Sequence, residues 1–146
     1  MKGYSLLEFT ITLSIILLLL LFAVPAYHDL RQHYQADVAI NYLHRGIYFA
    51  RAEAIQRRQM VKISPDGAWQ QGMIVSSNHV VIKHFAGISG KGKITWRGFP
   101  NYDYLQFTPQ GFTYYQNGTF SYISAENKVI KKLIINQAGR IRTESV

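Results

Sequence analysis

Two groups of residues in this sequence have types and spacings suited to chemistry. One is a lone carboxylate, Glu8, at the head of an apolar run from Phe9 to Val24 that holds no charged residue. An ionisable group near a membrane core costs roughly 2.5–3.5 kcal/mol on insertion scales, so it is usually kept for a partner. Near a helix N-terminus it also gains from the macrodipole. The other group is basic and C-terminal: Lys128, Lys131, Lys132, Arg140 and Arg142, with Glu126 and Glu144 beside them. In an extended segment Arg140 and Arg142 point the same way, and guanidinium forks suit phosphate oxygens. Gly139 leaves such a tail free to adapt to a ligand. The chemistry on offer is sequence-independent binding of double-stranded DNA through its phosphates. An ordinary solvated basic terminus is the bland alternative. Lys91, Lys93 and Arg97 form a secondary set of candidate contacts, while Arg57 and Arg58 suit the end of a helix.

The charge balance agrees with a polyanionic partner. Sixteen basic and 8 acidic residues give a formal net charge of +8, which attracts nucleic acid, anionic lipid or an acidic protein. The absence of cysteine excludes thiolate and cysteine–metal chemistry. The five histidines show no metal-ligand spacing. There is no Ser/His/Asp constellation, phosphate-cradling glycine loop or carboxylate pair, so no enzymatic activity, cofactor or metal is expected. Tyr114, Tyr115, Phe120 and Tyr122 are able to stack on unpaired bases, but alternate members of short strands more often pack in a core. Trp69 and Trp96 are read as core for the same reason.

The elements that must position these residues begin with a membrane-length helix. Leu6, Leu7 and the run to Val24 approach the ~20 residues that cross a bilayer. A cleaved secretory signal fits less well, because the apolar stretch exceeds a typical h-region and lacks a clean Ala-x-Ala site. Flanking charge leaves the orientation open. Beyond Pro25, the residues Ala36, Ala39, Ile40, Leu43, Ile47, Ala50 and Ala54 recur at three- and four-residue steps and make one apolar stripe. The pattern predicts a single helix from about Ser5 to Arg57, bent near Pro25. Short β-branched and aromatic runs follow: Val61–Ser64, Trp69–Ser77, Val80–Phe85, Ile94–Trp96, Tyr104–Thr108, Phe112–Tyr115, Thr119–Ser124 and Val129–Asn136. Pro65-Asp66-Gly67 reads as a turn, and Asn117-Gly118 is the strongest hairpin signal in the chain. The fold class is therefore α+β. Its expected parts are a membrane helix over 4–27, an amphipathic helix over 28–58, an antiparallel β domain over 59–137 and a basic tail over 138–146.

The segment Gly3-Tyr4-Ser5-Leu6-Leu7-Glu8 before an apolar helix resembles the type IV prepilin motif. That resemblance implies residues 1–3 as a leader, cleavage between Gly3 and Tyr4 by a prepilin peptidase, and methylation of the new N-terminus. It also implies that Glu8 pairs with the α-amine of a neighbouring Tyr4 during filament assembly. Ala50-Arg51-Ala52-Glu53-Ala54-Ile55-Gln56-Arg57, Trp69-x-x-Gly72-Met73-Ile74-Val75, Phe107-x-Pro109-x-Gly111 and Ala138-Gly139-Arg140-Ile141-Arg142 resemble the FimT/GspH group of minor pilins and pseudopilins. Phe112 stands where an arginine is common in that group, and the group's frequent cysteines are missing. The implied fold is type IV pilin-like. Implied partners are other pilins in a filament, the inner membrane before assembly and, for the DNA-uptake branch that carries Gly-Arg-x-Arg, double-stranded DNA. The implied place is the inner membrane with a periplasmic domain, then the pilus. A structural pseudopilin of type II secretion and a pilus-priming subunit without DNA binding are the alternatives.

Overall fold

A computed structural model of the protein describes residues 5–100 and 103–146. The expected processing residues Gly3 and Tyr4 lie outside the described residues. The chain forms two compact units, residues 1–33 and 34–146.

The first unit is helical. Helix α1 spans Leu6–Arg57 and starts at Ser5, whose Oγ accepts a hydrogen bond from the Leu7 amide at 3.3 Å. Ser5-Leu6-Leu7-Glu8 has the spacing of a capping box, and Glu8 sits in the first turn, where the dipole favours a carboxylate. Thr10, Thr12 and Ser14 donate their hydroxyls to the carbonyls of Leu7, Phe9 and Thr10, each at 2.8 Å. The polar interruptions of the apolar run are thus satisfied within the helix, as hydrocarbon surroundings require. This helix is long and apolar enough to cross a membrane. Pro25 lies inside α1 without ending it.

In the second unit the helix buries Ala36, Ala39, Ile40, Leu43, Gly46, Ile47, Ala50 and Ala54, which is the apolar stripe expected from the sequence with Gly46 added. Small residues bring the helix close to the sheet. A Cβ on Gly46 would stand 2.5 Å from Met73 Cε.

Among the described residues eight strands follow: β1 Val61–Asp66, β2 Ala68–Ser77, β3 Val80–Ala86, β4 Lys93–Phe99, β5 Leu105–Phe107, β6 Asn117–Ile123, β7 Val129–Ile135 and β8 Ile141–Ser145. They form two antiparallel sheets, ordered β3-β2-β1-β5 and β4-β6-β7-β8. Alternate residues of both sheets enter one core with the helix stripe. Val61, Ile63, Met73, Val75, Leu105 and Phe107 come from the first sheet, and Ile94, Phe120, Tyr122, Leu133 and Ile135 from the second. Each such side chain, fully buried, contributes roughly 1.5–3 kcal/mol.

Four segments differ from the sequence reading. Pro65 and Asp66, expected in a turn, continue strand β1 across an irregularity and leave Gly67 as the bend. Asn117 and Gly118 open strand β6, opposite Phe99 and Gly98, and make no hairpin turn. The reason is tertiary: the Trp96 ring covers both glycines, and a Cβ would lie 2.3 Å from it at Gly98 and 2.4 Å at Gly118. Phe112–Tyr115 is an irregular loop that keeps one isolated bridge, between Thr113 and Phe107. The expected basic tail is strand β8, paired along β7 from Ile135–Ile141 to Lys131–Ser145.

Candidate nucleic-acid interface

The register of the second sheet decides which basic residues share a surface. Directly paired residues point to the same face, and faces alternate along each strand. Arg97, Thr119, Ile134 and Arg142 form one cross-strand row. Thr95, Ser121, Lys132 and Glu144 form the next row on the same side. At the other end, Phe99 pairs with Asn117, and the Asn136 amide donates to the Arg140 carbonyl at 3.2 Å, extending the β7–β8 ladder by one pair. Lys93, two residues before Thr95, falls on that side too. The opposite face carries Ile94, Trp96, Phe120, Tyr122, Leu133 and Ile135, and it packs on the helix.

The outward face therefore gathers Lys93, Arg97, Lys132, Arg140 and Arg142, with Glu144 as its carboxylate. At ~4.8 Å per strand, Arg97 and Arg142 originate about 14 Å apart at the two edges of the sheet. Two candidate sets separated by some 40 residues of sequence thus meet on one surface. Arg142 Nη2 lies 3.1 Å from Glu144 Oε1 in an exposed pair. Such pairs are worth about 0–1 kcal/mol, so a phosphate competes with the carboxylate readily.

Other members of the expected set stand elsewhere. Lys131 points to the helix side and forms an ion pair with Asp37. Lys128 lies in the turn between β6 and β7, 3.7 Å from Glu126. Lys91 lies on the glycine-rich loop before β4, beside a shallow concavity lined by Gln70, Gln71 and Gly87 to Lys93.

Gly139 is buried at φ +70° in the β7–β8 turn, so it fixes the segment where a free tail was expected. Its Cβ would meet the Gly111 carbonyl oxygen at 2.7 Å. Arg51 of the helix reaches beneath this turn and donates from Nη1 to the Gly139 carbonyl at 3.1 Å. Arg140 is anchored through its amide, which donates to Asn136 Oδ1 at 2.9 Å. Its exposed guanidinium is left to the surface. Behind β8, His44 Nε2 lies 3.3 Å from Thr143 Oγ1. Burial pushes the His44 pKa down, so a neutral imidazole backs the cationic strand. Arg51 and His44 position the site and were not singled out for that role from sequence. Only the Ala50-Arg51-Ala52-Glu53 motif hinted at Arg51.

Of the four aromatics weighed for base stacking, Phe120 and Tyr122 are buried. Trp69 is buried with them, its ring edge-on to Phe120 at 4.8 Å between centroids. Tyr114 and Tyr115 face solvent.

Comparison with known proteins places the chain. None of the curated proteins matches it. Two crystal structures of the type IV minor pilin FimU from Pseudomonas aeruginosa are similar. One has a TM-score of 0.64 and 22% identity, covering 76% of this chain and 89% of that one. The other has a TM-score of 0.59 and 24% identity, covering 74% and 91%. At these identities the likeness shows a shared, type IV pilin-like fold. A family model described as "Type II transport protein GspH" matches residues 39–139, from the helix stripe to the glycine of the β7–β8 turn. With well over half its length inside that match, the chain belongs to the GspH family of type IV minor pilins and pseudopilins.

Proposed function

We propose that this chain is a minor type IV pilin whose outward sheet face grips double-stranded DNA, without sequence preference, for uptake in natural transformation. One observation carries the reading: the register brings Arg97, Arg140 and Arg142, with Lys93 and Lys132, to one surface that opposes them with Glu144. The ~14 Å between the Arg97 and Arg142 strands compares with the ~12 Å width of the B-DNA major groove. Guanidinium groups from the two edges then reach phosphates on either side of it. Contacts of this kind give dissociation constants of about 10⁻⁴–10⁻⁶ M near physiological salt. Several copies in a filament raise that by avidity. In this reading the peptidase cuts between Gly3 and Tyr4, Glu8 pairs with a neighbour's Tyr4 amine, and the globular unit faces the periplasm before joining the pilus. Lys91 and Lys128 act as flanking contacts.

The family match ends at Gly139, one residue before Arg140, and the family's type II transport name favours a second reading, a secretion pseudopilin whose basic face meets an acidic protein. A mobility-shift assay on the full chain in a neutral detergent, with mixed-sequence duplex, separates the two. The DNA reading expects a shift at low salt that is lost in Arg97→Gln/Arg140→Gln/Arg142→Gln. A parent protein that leaves the duplex unshifted at low salt turns the assignment to secretion or filament priming.

A further inference from the structure

The loop between β5 and β6 holds an arrangement that core packing does not require. Its backbone is tied on three sides: the Thr108 amide donates to the Phe112 carbonyl at 2.8 Å, the Tyr114 amide to Gln106 at 2.8 Å, and the Thr113 amide to Gln137 at 3.1 Å. Thr113 and Gln116 are buried as its polar centre. The Gln116 side chain bridges the Gln106 amide at 2.7 Å and the Tyr104 carbonyl at 3.2 Å. On this fixed frame the aromatic residues turn outward, with Phe112 51%, Tyr114 46% and Tyr115 74% exposed. Tyr115 takes φ 54°, a left-handed conformation that is sterically unfavourable for a bulky side chain. Strain of this kind collects at ligand clamps. The Tyr114 and Tyr115 rings stand edge to face, 5.3 Å between centroids and 70° between planes. They border a concavity of about 340 Å³ together with Gln110 and Gln137.

Gln137 belongs to the β7–β8 turn, and Arg140 closes that turn. The aromatic loop is therefore continuous with the end of the cationic face. Rings for stacking, amides for base edges and an adjacent guanidinium for phosphate are the ingredients of single-strand recognition. A neutral ligand would leave the guanidinium unused.

We infer that Tyr114 and Tyr115 form a stacking platform for an unpaired base of a DNA strand whose phosphates continue over Arg140 and Arg142. This rests on the phosphate-binding reading and adds a preference for single strands and frayed ends over closed duplex. Stacking worth ~1–3 kcal/mol per base corresponds to roughly 5- to 150-fold in affinity.

The test uses the full chain in neutral detergent and fluorescence anisotropy with two probes at fixed low salt, a 20-nucleotide oligothymidine and a blunt hairpin duplex. Tyr114→Leu/Tyr115→Asn is expected to weaken oligothymidine binding by that factor while changing duplex binding less than twofold. Asparagine is chosen because it tolerates the left-handed backbone. Tyr114→Phe/Tyr115→Phe keeps both rings and is expected to bind oligothymidine as the parent does. Tyr114→Leu alone, which leaves the strained position untouched, gives a smaller loss in the same direction. Equal losses on both probes, or none on oligothymidine, overturn the platform while leaving the duplex reading in place. A parent that binds neither probe overturns both.

Discussion

Replacing Gly139 with alanine probes whether the C-terminal arginines sit on a built turn or on a loose end. The residue is held at φ +70°, where an alanine loses about 1–2 kcal/mol relative to glycine. The added methyl would lie 2.7 Å from the Gly111 carbonyl oxygen. Gly111 is itself at φ +80°, where a Cβ would stand 2.8 Å from Ile55 Cδ1 and 3.2 Å from Arg51 Nε, so its surroundings are also tight. Relieving the contact moves the turn away from Arg51 and weakens a charge-assisted hydrogen bond, adding roughly 1 kcal/mol. The expected loss is about 2–3 kcal/mol, or roughly 6–15 °C in melting temperature for a domain of this size. Gly90→Ala is the control, since a Cβ there meets nothing within 4 Å among the described residues, and it is expected to stay within ~0.5 kcal/mol. Circular dichroism at the long-wavelength edge of the near-ultraviolet, where only Trp69 and Trp96 absorb, reports the transition. If Gly139→Ala melts with the parent and with Gly90→Ala, the turn is not load-sharing, and the β7–β8 hairpin is wrong.

Further substitutions have distinct signatures. Tyr42 carries a buried hydroxyl that has no hydrogen-bond partner among the described residues, and burial pushes its pKa up to about 12. Tyr42→Phe removes a desolvated polar group and is expected to be neutral or stabilising by about 1 kcal/mol in thermal melts. The His44 pKa is lowered by burial, so the unfolded chain binds its proton more readily than the folded one. Its contribution to stability is complete above the unfolded value of ~6.5 and declines as pH falls below it. Melts between pH 8 and pH 5 should therefore flatten in His44→Gln. Lys131→Gln breaks the pair with Asp37, in which the lysine is 24% and the aspartate 52% exposed. It is expected to cost no more than ~1 kcal/mol of stability and to leave DNA affinity within twofold.

The helix was the most legible part of the sequence. The stripe from Ala36 to Ala54 needs only the 3.6-residue period and a neighbouring sheet, and every residue of it is buried. The reversal at Pro65-Asp66-Gly67 was legible only at its glycine, with Gly67 at φ +79° between β1 and β2, since Pro65 and Asp66 pair with Met73 and Ala68 inside the ladder. Long-range pairing was not legible. Lys131 and Lys132 are adjacent in sequence, yet strand parity sends one to Asp37 and the other to the surface. Arg97 and Arg142 meet on one face only because β6 and β7 lie between their strands. Asn117-Gly118 misled because the glycine serves the Trp96 ring, a contact from another strand that overrides the local turn preference. Gly139 suggested freedom by its residue type, whereas its surroundings show a position that only glycine fills without strain.

The salt dependence of duplex binding tests most directly whether a sheet face, and not a flexible tail, holds the DNA. Neutralising Z phosphates gives a slope of about −0.9Z in log K against log salt. The five cations of the face, with or without the flanking Lys91 and Lys128, predict a parent slope of roughly −4.5 to −6.3. Arg97→Gln, at the edge of the sheet remote from the C-terminus, is expected to make that slope shallower by about 0.9, and Arg142→Gln by the same amount. A slope that responds to Arg142→Gln but is indifferent to Arg97→Gln would contradict the account.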